Sequence, residues 1–208
     1  MHFSLLPKYR GPSPIQSAIL NGEKETGTSI FILDEQVDHG PILAQEKIAI
    51  DDDDNALTLS EKMAFKSAQL IIPTINGYVS GSITPTPQDD AQATHTEHID
   101  KAHGKIYWNK TAPEIYNQFR AFYPWPGIWT KWEGKMVKIT DCVPDPDLRI
   151  KSGSANTYGC GEVLEGGMVT CGGNTFLQIK TLQLEGKTEV SMSSFLNGYR
   201  EFVGSRLG

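Results

Sequence analysis

Two side chains able to handle protons stand 36 positions apart, an imidazole at His2 and a carboxylate at Asp38. His2 opens the run His-Phe-Ser-Leu-Leu-Pro-Lys-Tyr-Arg-Gly (2–11), and Asp38 belongs to an Asp-His-Gly turn (38–40). An imidazole donates to a developing negative charge or takes up a proton, and a nearby carboxylate orients it and balances its charge. Together they supply two of the polar groups of a catalytic centre. The alternatives are plain: a His beside a terminal Met is ordinarily frayed and solvated, and Asp near Gly suits a tight turn with no chemistry. Asp38 follows a buried-looking strand, and α/β sites gather at the C-terminal ends of strands. Asp34 and His39 flank the same turn and read as solvated turn residues, ranked below Asp38.

The elements needed to position this pair alternate in type. Residues 13–21 (SPIQSAILN) predict a short helix with Pro14 in its first turn and Gly22 as a stop. Residues 29–33 (SIFIL) predict a buried strand, and 42–50 (ILAQEKIAI) a second strand nearer an edge. Residues 58–76 predict a longer helix, which Pro73 should kink or end early. Interleaved helices and strands imply α/β layering. Residues 81–96 (GSITPTPQDDAQATHT) lack large apolar side chains and read as an extended linker.

Beyond it, 112–121 predicts a helix. Short strand-like segments follow at 128–132, 136–140, 161–164, 168–171 and 176–182, separated by Gly turns, and 193–203 closes the chain as a helix. That rhythm implies a small β-barrel, with Trp125, Trp129 and Trp132 expected in its core.

Composition narrows the function classes. The 208 residues are 38% hydrophobic and 9% aromatic, which suits one large or two small globular domains. No apolar run approaches the ~18 residues of a membrane span, and the start lacks a secretory pattern. Cys142, Cys160 and Cys171 form an odd set without C-x-x-C spacing, which reads as reduced thiols of a cytoplasmic protein. Residues 1–100 carry 6 Lys/Arg against 15 Asp/Glu, and 101–208 carry 13 against 10, so only the second half suits a polyanion. Asp51 to Asp54 does not alternate as a calcium loop requires and reads as a solvated approach to a helix N-terminus. No metal is expected.

The run at 2–11 resembles the active-site segment of the folate-dependent formyltransferases, Asn-x-His-x-Ser-Leu-Leu-Pro. Further segments resemble that family in order: Pro-Ile-Gln (14–16), Gly-Thr-Ser (27–29), Tyr-Pro-Trp-Pro-Gly (123–127), Gly-Glu-Val-Leu (161–164) and Phe-Leu-Asn-Gly (195–198). The last three are similar to the C-terminal domain of the branch that acts on methionyl-tRNA. The resemblance implies an α/β fold, with part of a Rossmann-like formyltransferase domain over 1–83, a linker over 84–102 and an OB-like β-barrel domain over 103–208. It implies transfer of a formyl group from 10-formyltetrahydrofolate to the amino group of initiator methionyl-tRNA, with no membrane and no stable protein partner.

Carried over residue by residue, the resemblance makes His2 the oxyanion donor and Asp38 the orienting carboxylate. Ser4, Leu5, Leu6 and Pro7 become the folate-contact segment. In the basic half, Arg120, Lys131, Lys135, Lys138, Lys180, Lys187, Arg200 and Arg206 are the candidates for tRNA phosphates. Met1 occupies the x position of the motif, so the family's Asn has no counterpart and the chain begins inside that motif. Loss of one such donor costs about 2.7–4 kcal/mol. Strands of the family's N-terminal half, expected to pair in parallel with 30–33, are also without counterparts. This chain alone is therefore expected to transfer no formyl group above background. Two other readings stand beside this one, part of a nucleotide-sugar formyltransferase and a non-catalytic tRNA-binding remnant.

Overall fold

Strand β1 (Glu25–Phe31) pairs antiparallel with β2 (Ile42–Ala49), from Glu25 opposite Ala49 to Ile30 opposite Ala44, with an irregularity at Phe31. The computed structural model describes residues 1–145 and 159–208. The chain divides into two units, Met1–Ile99 and Asp100–Gly208. In the first, helices α1 (Pro14–Leu20) and α2 (Ala56–Val79) bury Ile15, Ile19, Leu59 and Met63 with Ile30 and Ile48.

Several expectations need correction. The apolar run 29–33 overstates where the first strand lies. It starts at Glu25 and ends at Phe31, and Leu33 is 78% exposed. Polar residues enter the buried strand because their hydroxyls are bonded: Thr28 Oγ1 meets Ser67 Oγ at 2.7 Å, and Ser29 Oγ donates to Ser4 O at 2.6 Å. Among the described residues, the partners of β1 are β2 and His2, both antiparallel.

Helix α2 runs through Pro73 to Val79 instead of stopping. Proline removes the bond to the carbonyl four residues back, here Gln69. Both residues lie on the exposed face, where water takes the freed carbonyl. The start is fixed by Asn55, whose Oδ1 accepts from Leu57 N (2.9 Å) and Thr58 N (3.1 Å) while Thr58 Oγ1 accepts from Asn55 N (3.0 Å).

The 81–96 stretch is not a free linker. Thr86 exchanges two backbone bonds with Ile42, each 2.8 Å, and Arg10 N and O bond Thr94 O and Thr96 N, each 2.8 Å. Those bonds strap it along the first unit, supplying the order that its sparse apolar content does not.

The second unit holds α3 (Ala112–Ala121), β3 (Ile128–Trp132), β4 (Lys135–Asp145), β5 (Met168–Cys171), β6 (Thr175–Leu184), β7 (Val190–Ser191) and α4 (Met192–Gly198). Its five-stranded antiparallel sheet has the order β3-β4-β6-β5, with β7 on β6. The 161–164 stretch, expected as a strand, makes only isolated bridges, Glu162 to Arg206 and Val163 to Val169.

Trp132 is 3% exposed and meets Phe195, Tyr199 and Phe202 edge-on at 5.9, 5.6 and 5.2 Å between centroids. Trp125 corrects the core expectation, being 56% exposed, and Trp129 is half-buried with Nε1 donating to Lys101 O. Cys142 and Cys171 are buried free thiols, and burial pushes Cys171 up to about 12. Truncation of Trp132 to Ala should destabilise the second unit by about 3–5 kcal/mol in denaturant unfolding. An effect below about 1 kcal/mol would contradict the aromatic cluster as its core.

Candidate active site

His2 reaches its position through the backbone. Its N–H donates to Ser29 O at 2.9 Å and its carbonyl accepts from Ser29 N at 2.8 Å, so the amino-terminal segment adds to the edge of β1 opposite β2. The residue is 8% exposed, far from the frayed terminus its place in sequence suggests. The ring Nε2 lies 2.8 Å from Tyr9 O. A carbonyl only accepts, so Nε2 carries the hydrogen. Nδ1 lies 3.4 Å from Asp38 Oδ2. That side of the ring faces the carboxylate, so charge that develops on the imidazole is balanced there.

The structure thus brings His2 and Asp38 together. Asp38 has φ +50°, a left-handed backbone that Asp tolerates, and its side chain is 21% exposed. Oδ2 also accepts from Gly11 N at 2.8 Å, which anchors the carboxylate on the side away from solvent. Gly40 closes the turn by near contact. A Cβ there would stand 1.7 Å from Ile32 O, so no other residue fits without moving the chain. The rivals pair with each other, His39 Nδ1 lying 2.6 Å from Asp34 Oδ2 on the exposed side.

The 4–7 segment is mostly consumed by its own scaffold. Ser4 is fully buried with Oγ donating to Lys8 O at 2.5 Å, and Leu6 is 3% exposed. Leu6 N donates to Ser29 Oγ (3.1 Å), and Gln45 Nε2 donates to Leu6 O (2.9 Å) and Ser29 Oγ (2.8 Å). Of the four candidates, Leu5 and Pro7 retain half-exposed apolar surface. Leu5 packs where Gly27 has no side chain, since a Cβ there would meet Leu5 Cδ2 and Glu46 O at 2.4 Å. The cavity lined by Leu5, Lys8, Tyr9, Glu23, Glu25 and Thr26 holds about 70 Å³, below the roughly 300–1,000 Å³ of ligand pockets.

Among the basic candidates, Arg120 is removed from the surface. It is 7% exposed, lies 5.5 Å from the Tyr116 ring centroid and donates to Asn117 Oδ1 at 2.7 Å. Its place near the end of an amphipathic helix explains the correction, because the arginine stem covers apolar surface and its charge meets a ring and an amide. Lys131, Lys135, Lys180, Lys187, Arg200 and Arg206 are exposed and Lys138 is half-buried. Asp54 is 4% exposed and accepts from Thr58, Lys62 and Asp51 N, securing the start of α2. No group of three metal-ligating side chains occurs among the described residues.

Sequence reading missed Tyr9, Gly11, Ser29, Gln45 and Gln88, which hold the pair. The Tyr-Arg-Gly and Gly-Thr-Ser runs contained three of them, but no spacing rule links a backbone carbonyl to a distant imidazole. Tyr9 has φ +61°, and its hydroxyl donates to Glu23 and accepts from Asn21.

Beside the pair, His39 Nε2 also reaches Asp90 Oδ2 at 3.3 Å. The Asp34 bond holds His39 above its ordinary 6.5, despite some desolvation. Asp34 is held low chiefly by His39, and Asp90 chiefly by Arg10. The stabilisation from His39 is complete below 6.5 and is lost as pH rises through the raised pKa. That from Asp34 and Asp90 is complete above 3.8 and lost on acidification through their lowered pKa values. Amide protection at Gln36 should therefore fall as the solution is made alkaline, and His39→Gln should remove that fall. An equal fall in the variant would contradict the bridge.

The family model described as "Formyl transferase" matches residues 1–75, and "Formyl transferase, C-terminal domain" matches 98–200. The methionyl-tRNA formyltransferase of Thermodesulfovibrio yellowstonii is 42% identical over 95% of this chain and 62% of its own length. That of Roseiflexus castenholzii is 36% identical over 100% and 65% respectively. The chain thus spans under two thirds of the length of these curated relatives. A crystal structure of WlaRD, a sugar 3N-formyl transferase with dTDP and 5-N-formyl-THF, superposes with TM-score 0.67 at 25% identity, covering 90% of this chain and 65% of that one. HypX from Aquifex aeolicus, in complex with tetrahydrofolic acid, shares the fold with TM-score 0.66 at 18% identity, covering 97% and 35%. With both of the family's domains matched in order and relatives this similar, the chain belongs to the formyl transferase family.

Proposed function

We propose that this chain serves the transfer of a formyl group from 10-formyltetrahydrofolate to the amino group of initiator methionyl-tRNA, in the cytoplasm. The observation that carries the reading is the His2–Asp38 pair at 3.4 Å, held at the edge of β1. Residues 1–83 are read as part of the catalytic domain, 84–102 as its connection, and 103–208 as an OB-like barrel that holds the tRNA. The branch is favoured by identity: 42% to the methionyl-tRNA relative against 25% to the sugar formyl transferase.

In this reading the amine adds to the formyl carbon and charge gathers on the formyl oxygen; as the carbonyl re-forms, the bond to the folate nitrogen breaks, and that nitrogen takes up the proton the amine gives up. The His2 Nε2–H now on Tyr9 O turns to that oxygen. An anionic acceptor makes a bond roughly twice as strong as a neutral carbonyl does, which drives the exchange. Asp38 orients His2 or a water and balances the charge that develops there as the amine proton leaves. Leu5 and Pro7 offer one apolar wall to the pterin, and the exposed Lys131, Lys135, Lys180, Lys187, Arg200 and Arg206, with the half-buried Lys138, face phosphates.

Formyl-methionyl-tRNA formation tests the reaction, using the chain alone and the chain joined behind the remaining part of the Thermodesulfovibrio yellowstonii relative. Background is expected for the chain alone. In the fusion, turnover should fall by about 10²–10³ on His2→Ala and also fall on Asp38→Asn. Turnover that survives both substitutions would contradict the reading. For tRNA, each neutralised phosphate adds about 0.9 to the log–log salt slope. Reversing Lys135 and Lys138 to Glu should lower the slope by roughly two, at ~0.9 for each lost contact. An unchanged slope would remove those two residues from the tRNA surface.

A further inference from the structure

The stretch whose composition suggested a linker returns to the catalytic pair, and one side chain on it touches both supporting loops. Gln88 Nε2 donates to Asp38 O at 2.9 Å and to Gly40 O at 2.8 Å. Its Oε1 accepts from Arg10 Nε at 3.1 Å and Arg10 Nη2 at 2.9 Å. A carboxamide has two N–H donors and two acceptor lone pairs, and here all four are used. The amide orientation is fixed by its neighbours, because carbonyls only accept and a guanidinium only donates.

What Gln88 joins is the support of each half of the pair. On one side is the 38–40 turn that carries the Asp38 carboxylate. On the other is Arg10, flanked by Tyr9, whose carbonyl takes the His2 ring hydrogen, and Gly11, whose N–H holds Asp38 Oδ2. The Arg10 side chain is 5% exposed; its charge is paired with Asp90 Oδ1 at 2.7 Å, and Gln88 takes up further donors of the guanidinium. Other side chains do not reproduce the joint. Glutamate offers no donor and sets an oxygen against two carbonyls, lysine accepts nothing, and asparagine is one carbon short.

We infer that Gln88 is a positioning residue, which sets the separation of His2 and Asp38 by pinning the turn that carries the acid to the loop that holds the imidazole. The inference takes from the proposed function only that His2 and Asp38 are the reacting pair. Glu at position 88 keeps the acceptor for Arg10 and loses both bonds to the turn, so it separates the two halves of the joint.

Residue-resolved hydrogen exchange and ¹⁵N spectra of the histidine rings, on the full chain carrying Gln88→Glu or Asp90→Ala, test this. In Gln88→Glu, protection of the Gly11 amide should fall by about tenfold or more, the weight of one or two hydrogen bonds. The His2 ring resonances should move with it, while the Arg10 and Thr96 amides stay protected. In Asp90→Ala, which removes the other acceptor of Arg10, the Gly11 amide and the His2 ring should stay as they are. An unmoved Gly11 amide in Gln88→Glu would overturn the inference. So would loss of all these amides together, or an equal effect of Asp90→Ala, since either reports general loosening of the strap. These signals are read without turnover. Absent formyl transfer in the fusion therefore removes the proposed reaction and leaves this result standing.

Discussion

Two backbone hydrogen bonds between His2 and Ser29 are the constraint on which the site depends. They turn the amino-terminal segment into a third strand-like layer on β1, so that an imidazole two residues from the chain end is 8% exposed. Without them nothing in the backbone would hold His2 at this edge. The 36-residue separation from Asp38 would then cost more in loop entropy than a 3.4 Å contact returns. Because they are made by main-chain atoms, the contact needs no particular side chain at position 2, and the imidazole is free for chemistry.

Ser29 does a second job through its side chain. Its hydroxyl donates to Ser4 O and accepts from Leu6 N and Gln45 Nε2, which fixes the 4–7 segment. A buried polar group this fully bonded is rigid, since losing any one partner leaves another unsatisfied at about 1–3 kcal/mol. The rigidity passes along the chain to Tyr9, whose left-handed backbone turns its carbonyl to His2. The loop thus holds the ring by an acceptor weaker than the oxyanion expected in the reaction. A resting partner of that kind keeps the ring oriented and is readily replaced.

Much of this was legible in the residues. The Asp-His-Gly turn, the helix at 112–121 and the strands at 42–49 and 128–132 follow from local pattern, and motif resemblance paired His2 with Asp38. What was illegible is tertiary in origin. Leu33 belongs to an apolar run yet is exposed, because the chain must leave β1 at Phe31 to bring Ile32 N to Pro41 O. Thr28 and Ser29 are polar yet buried, because their partners lie on α2 and the 4–7 segment. Pro73 does not end α2, because its cost falls on a solvated carbonyl. The 81–96 stretch lacks apolar side chains and is held by backbone bonds, which composition does not encode. Arg120 shows the same limit, since its burial beside Tyr116 and Asn117 is set by the packing of its helix, which residue type does not encode.

In the proposed reaction the formyl carbon lies beside the His2 ring, with Leu5 and Pro7 against the pterin. A crystal structure of the fused protein with 5-formyltetrahydrofolate measures this directly. The account predicts the formyl group within hydrogen-bonding reach of His2 Nε2, with Tyr9 O released from the ring. A folate bound elsewhere, with the His2–Tyr9 contact intact and no access to Asp38, would contradict it.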